Sequence, residues 1–201
     1  MIPPSTALRG AYLAAALALG GLLSCGTPDA APAGAAVGPD GPGFFNLAEW
    51  AEREAARLAG TRIDKYVRVG ETTEERDGLA VDWAEELAPF AQSNVDRPAL
   101  WDAYRADTAA LAGGGALVTY AALDSALFTR EVRVRFADRA APYDTVARIE
   151  IANRFDSYVA ATEQRLAYAP GAYEVVSRQD ARFLEPRVLR ITAGWTAPAP
   201  R

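Results

Sequence analysis

The 201-residue chain has no histidine, one cysteine (Cys25) and one lysine (Lys65). Each scarcity excludes a class of chemistry. Histidine is the commonest acid–base side chain near neutral pH and a common metal ligand. Without it, Ser-His-Asp and Cys-His nucleophilic triads cannot be built. His-containing zinc sites are also excluded, and one cysteine cannot form a thiolate cluster or an internal disulfide. Only Lys65 among the 21 basic residues is lysine, a bias we read as genome composition. The formal net charge of -5 and pI near 4.9 argue against nucleic acid as a partner, because phosphate binding needs a basic field. Charge is uneven along the chain. From Ser125 onward there are 12 Arg and 9 acidic residues, whereas between Cys25 and Asp124 there are 8 basic and 17 acidic residues.

At 50% hydrophobic and 23% charged, with four Trp, eight Tyr and seven Phe, the composition is that of a globular chain. The length fits one domain behind a leader. Residues 1–24 have the three parts of a secretory signal: Arg9 near the amino terminus, an apolar run "AYLAAALALGGLL" from Ala11 to Leu23, and small residues after it. That run is shorter than the roughly 20 residues of a transmembrane helix. The motif "LLSC" (Leu22, Leu23, Ser24, Cys25) resembles the lipobox of bacterial lipoproteins. The resemblance implies cleavage between Ser24 and Cys25, a diacylglycerol thioether on Cys25 and acylation of the new amino group. The membrane is then a partner through those acyl chains. Gly26 stands where Asp marks inner-membrane retention in many Gram-negative lipoproteins, so the resemblance further implies an outer-membrane anchor, facing the periplasm or the surface. A plain signal cleaved further on, near "TPDAAPA", would instead leave Cys25 as a small buried hydrophobe.

Residues 25–43, the cysteine and a Gly/Ala/Pro tract with no aromatic side chain, read as a flexible tether. Its 18 residues after Cys25 span about 20–25 Å on average. Residues 44–201 then read as one globular domain. "NLAEWAEREAARLAG" carries helix signals: Asn46 as N-cap, Glu49 as capping box, Phe45 and Trp50 as a staple, and Gly60 as the stop. Leu47, Trp50, Ala51, Ala55 and Leu58 share its apolar stripe. A second helix starts at Asp82 with Trp83, Leu87 and Phe90 on one face and Pro89 inside. Between them "DKYVRVGETTEERDG" reads as a short hairpin closing at Asp77-Gly78. The stretch "VDRPALWDAYRAD" reads as an irregular connection, and Gly113-Gly114-Gly115 as a flexible junction between helical and sheet halves.

From Ala116 the period becomes two. Phe128, Val132, Val134 and Phe136 oppose Arg133 and Arg135; Ile149, Ile151 and Phe155 oppose Arg148, Glu150 and Arg154; Leu166 and Tyr168 oppose Glu163 and Arg165. Pro170-Gly171 marks a type II turn. The expected fold is α+β: two N-terminal amphipathic helices packed on one face of a curved, largely antiparallel meander of about six strands. The same alternation would suit a small closed β-barrel with flanking helices. The order "EREAARL", "DWAEELAPF", "SNVDRPALWDAY" and "YEVVSRQ" resembles an uncharacterised group of Bacteroidota lipoproteins, across nearly the whole mature chain. That group has no assigned activity, so the resemblance implies an envelope location and no functional residues.

No constellation in the domain points to a reaction. The acidic run Glu71, Glu74, Glu75, Asp77 lacks the spacing of a calcium loop and reads as a solvated hairpin tip. The three glycines lack the Lys-Ser/Thr of a phosphate loop. The outward arginines Arg133, Arg135, Arg148, Arg165, Arg178 and Arg190 could serve acidic partners, but pairing with Glu131, Glu150, Glu163 and Glu174 is the favoured reading. Trp50 and Trp83 belong to the core by helical spacing, while Trp101 and Trp195 are less constrained. The sequence therefore leads to a lipid-anchored, non-enzymatic module without cofactor or metal that binds an envelope protein or glycan. A carrier of an apolar ligand, needing an unfilled cavity of several hundred Å³, and a carboxylate-only hydrolase, needing two acids in a cleft, stand as alternatives.

Overall fold

A computed structural model describes residues 37–38, 41–182 and 184–196. The expected signal segment 1–24, the expected cleavage and lipidation site at Ser24/Cys25 and the expected tether as far as residue 36 lie outside these residues. Two helices are described, α1 (Leu47–Leu58) and α2 (Trp83–Gln92). Nine strands form the main sheet: β1 (Ile63–Val69), β2 (Thr72–Leu79), β3 (Tyr104–Ala110), β4 (Ala116–Ala122), β5 (Thr129–Phe136), β6 (Val146–Asp156), β7 (Ala160–Ala169), β8 (Ala172–Ala181) and β9 (Arg187–Gly194).

The order is β2-β1-β9-β8-β7-β6-β5-β4-β3, with every neighbour antiparallel. Strands β3 to β9 are a continuous meander, and the β1–β2 hairpin, first of the nine, joins beside the last strand; a separate two-residue pair, Val37–Gly38 with Gly41–Pro42, precedes α1 within the stretch expected to be flexible tether. The described chain is thus mostly β, which corrects the expected six-strand α+β arrangement. The sheet is also open rather than a closed barrel, since β2 and β3 end the order without pairing to each other. Among the described residues no helix is long and apolar enough to cross a membrane.

Three strands stand beyond the expected six: the β1–β2 hairpin, read as a separate element, and β3, read as irregular. The hairpin turns at Gly70-Glu71, where Gly70 takes φ +60°, and not at Asp77-Gly78. Asp77-Gly78 instead forms a bulge within β2. Register slips between Ile63 and Lys65, Gly78 has φ +60°, and Asp64 accepts its amide at 2.8 Å. Turn chemistry and bulge chemistry both demand a left-handed glycine, so the dipeptide alone does not separate them. Strand β3 follows a 3-10 turn at Pro98–Ala103 and was hidden by its alanines, which carry little β-propensity. Gly113 and Gly114, at φ +82° and +88°, turn β3 into β4, so the glycines join two strands of one sheet rather than two halves.

Helix α1 shows where its terminal amides go. The Asn46 side chain accepts from the amides of Ala48 (3.1 Å) and Glu49 (3.0 Å), and Asn94 Oδ1 accepts from Leu47 (3.1 Å). Glu49 does not reach back as a capping box; its carboxylate takes Arg53 at 2.6 Å. Asn46→Ala leaves two amides unpaired and is expected to cost about 1–2 kcal/mol, read as a lowered urea midpoint with an unchanged slope.

The core lies between the helices and one face of the sheet. A single row of facing residues, Ala106, Tyr120, Val132, Ile151, Leu166 and Val175, runs across six strands and continues through Ile191 and Val67. Onto these rows α1 and α2 lower Trp50, Leu58, Leu87 and Phe90, all buried. Trp50 meets Tyr168 edge-on with centroids 4.7 Å apart, and Trp83 meets Trp195 at 4.8 Å.

Candidate binding surface

Each helix carries one glutamate on its apolar stripe. Glu54 falls between Ala51 and Leu58, and Glu86 between Trp83 and Phe90. A carboxylate there must be partnered, because burying a bare charge is costly. The sheet supplies the partners. The Tyr168 hydroxyl donates to Glu54, which also takes Arg57 through two hydrogen bonds at 2.6 and 2.7 Å. The Tyr173 hydroxyl donates to Glu86, whose two oxygens accept from Lys65 Nζ at 2.8 Å each. Tyr168 and Tyr173 are directly opposed on β7 and β8. Two equivalent clamps therefore fix the two helices to neighbouring strands. Burial, reinforced by the adjacent carboxylate, raises both phenols well above their ordinary pKa. The one lysine of the chain is a structural cation, which composition alone did not reveal.

These clamps do not make a hydrolytic pair. Glu54 and Glu86 each already hold a cation and a phenol under the helices. Neither lines the two open clefts at the surface, of about 310 and 260 Å³. The acidic run Glu71 to Asp77 lies on the exposed β1–β2 hairpin, and no group of three or more carboxylates among the described residues could hold a metal.

On the solvated face the arginines are largely paired with acids. Arg133 takes Glu131 (3.1 Å), Arg148 takes Glu150 (2.8 Å), Arg178 takes Asp180 (3.0 Å) and Arg190 takes Glu174 (3.4 Å). Most of these join residues two apart on one strand rather than residues across strands. Only Arg135 and Arg165 of the six have no ion pair among the described residues. Exposed pairs of this kind are worth little stability, but they neutralise the face.

Apolar exposure has a different distribution. The described residues include nine large apolar side chains open to water, and all nine lie at one end of the sheet. Leu123 and Phe128 sit on the β4–β5 loop, Tyr158 and Val159 on the β6–β7 loop, and Leu184 on the β8–β9 loop. Phe155 lies at the end of β6, and Val69 and Val188 flank the β1–β2 turn and the start of β9. Trp101 belongs to the 3-10 turn that enters β3 at this same end, where the Leu123 amide donates to Ala103 O at 2.9 Å. Phe128 and Phe155, assigned to the core by period two, are thus rim residues, 45% and 58% exposed: Phe155 lies at the strand end, and a register shift between Thr129 and Glu131 puts Thr129, not Phe128, on the buried face. The larger cleft lies here as well, lined by Tyr158, Ala160, Ala161, Asp180, Ala181 and Arg182, with the Arg182 guanidinium 4.6 Å from the centre of the Tyr158 ring.

No family model, curated protein or solved structure matches this chain. The rim's geometry and chemistry therefore carry the functional argument alone.

Proposed function

We propose that the protein is a lipid-anchored outer-membrane lipoprotein whose folded domain is a non-catalytic binding module acting through the apolar rim. The observation that carries this reading is the segregation of exposed apolar side chains to one end of the sheet. Scattered exposed leucines need no explanation, but a contiguous group on a folded chain marks an interaction site. The core beneath the helices is filled by Trp50, Phe90, Tyr168 and their neighbours, which supports a binding module over a carrier. The lipobox-like "LLSC" supports the anchor.

The test combines both parts. Cells are fed an alkyne palmitate, and a photo-crosslinking residue replaces Tyr158 on the rim or Arg148 on the charged face. Palmitate should label the wild type and not Cys25→Ala. Adducts should form from position 158 and not from position 148. Label that persists in Cys25→Ala removes the anchor, and equal adducts from both positions remove the rim.

A further inference from the structure

We infer that the rim is a bilayer-contacting surface: the hairpin tips insert into the lipid headgroup boundary beside the protein's own anchor. This rests on the proposed anchor for its setting, and on three observations of the fold for its substance.

The first is shape. The apolar side chains rise from separate loops, β4–β5, β6–β7 and β8–β9, with the β1–β2 turn beside them. Tips from parallel hairpins define an end face, whereas a peptide partner is usually held in a groove or along a sheet edge. A small open cleft lies there beside Tyr158. Tyr158 and Trp101 also have the amphipathic rings that settle at a membrane–water boundary.

The second is where the tether enters. The Asp96 Oδ1 atom accepts the Phe44 amide at 3.0 Å and the Trp101 indole N–H at 3.1 Å. The first residues of the domain are thereby pinned to a rim residue. The described chain thus enters the domain beside Trp101, at the apolar end, and only 18 residues of sequence separate Cys25 from Phe44.

The third is charge. Arg130, Arg154, Arg182 and Arg187 at this end stand against Asp124, Asp156, Asp180 and Glu185. Arg154 is bound to Asp156 at 2.8 Å and to Glu163 at 2.6 Å. The end face is close to neutral, so adsorption is driven by apolar burial and does not require anionic lipid. Insertion then reaches about 5–10 Å, the depth of interfacial elements.

The experiment uses the full chain purified in detergent and reconstituted into phosphatidylcholine/phosphatidylethanolamine vesicles. An environment-sensitive fluorophore is placed on Val159→Cys at the rim or on Ala140→Cys on the β5–β6 loop at the opposite end. Both are made in the wild-type and Cys25→Ala backgrounds, with circular dichroism confirming the fold. The label at 159 should shift to the blue and be quenched by lipid-borne nitroxide about threefold more than the label at 140, in low salt and in 0.5 M salt alike. Equal quenching at the two positions overturns the inference. A blue shift at 159 that needs no vesicles and grows with protein concentration also overturns it, showing a second copy on the rim. The intact mass of the purified chain reports acylation separately. An unacylated chain quenched at 159 removes the anchor and leaves the inference standing, while an acylated chain unquenched at 159 does the reverse.

Discussion

Raising the pH from 10 to 11 should remove about 3 kcal/mol of folding stability, with the loss steepening above that. Three phenols dominate, Tyr120, Tyr168 and Tyr173, each under 5% exposed, and burial raises the Tyr104 phenol in the same direction. Burial is the leading cause in each case, and it raises all three above the ordinary value of 10.0. Adjacent carboxylates, Glu54 for Tyr168 and Glu86 for Tyr173, push in the same direction. The sign follows from proton counting. In the unfolded chain each phenol ionises near pH 10, while in the folded chain it keeps its proton. The unfolded state therefore holds fewer protons, and stability falls as pH rises. Each phenol contributes about 1 kcal/mol over that interval. Stability is fully present below pH 10. Urea midpoints at pH 9, 10 and 11 measure the effect. Tyr173→Phe should lose stability at pH 9, where its hydrogen bond to Glu86 is gone, yet decline about one third less between pH 10 and 11. A variant whose alkaline decline matches the wild type would show that Tyr173 ionises without unfolding.

Trp50→Ala should destabilise the fold by about 3–5 kcal/mol. The indole is 2% exposed and lies between the helices and the sheet, meeting Phe90 at 5.9 Å and Tyr168 at 4.7 Å between ring centres. Truncation removes its apolar burial and opens a void at a junction of α1, α2 and β7, where the two clamps limit collapse. Against a typical domain stability of about 5–15 kcal/mol, this approaches loss of the folded state. Trp101→Ala is the contrast. That indole is 37% exposed at the rim, and its truncation should cost less than about 1 kcal/mol. Equal losses for the two tryptophans, read from urea unfolding, would reject the placement of Trp50 at the centre of the core.

Much of the local structure was legible because one signal dominated it. Asn46 ahead of a helical stripe and Asp82 ahead of another both cap helices. The alternating segments from Ala116 onward are all strands, most of them with apolar side chains toward the core and charged ones on the other face. The architecture as a whole was not legible. Strand β3 reads "YRADTAA", in which only Tyr104 and Ala106 are buried, too short a pattern to distinguish from a loop. The β1–β2 hairpin was expected, but its place beside β9 depends on pairings such as Ala193 with Lys65, which no local window contains. The clamps were partly visible: a glutamate among Trp, Leu and Phe on a helical stripe calls for a partner. Which tyrosine answers it is a matter of tertiary register. The rim was invisible for the opposite reason. Periodicity assigns Phe155 to the inner face correctly, yet says nothing about whether a helix reaches far enough along the strand to cover it.

The position of the β1–β2 hairpin also constrains how the chain can reach its native state. Val69 pairs with Leu189, 120 positions later, so the β1–β2 hairpin can form early but the second edge of β1 has no neighbour until the last strand arrives. Contacts of such long sequence separation slow folding, because chain entropy is lost before the pairing is gained. A chain emerging amino terminus first must keep β1 waiting, with Ile63 and Val67 unsheltered, until almost the whole polypeptide is available. Loss of only the final strand would leave β1 and β8 both without their shared neighbour, parting the two-strand hairpin from the other six strands. Pairing of β1 with β9 is thus a late step of folding, and a truncated product lacking β9 should be cut by protease faster than the full chain.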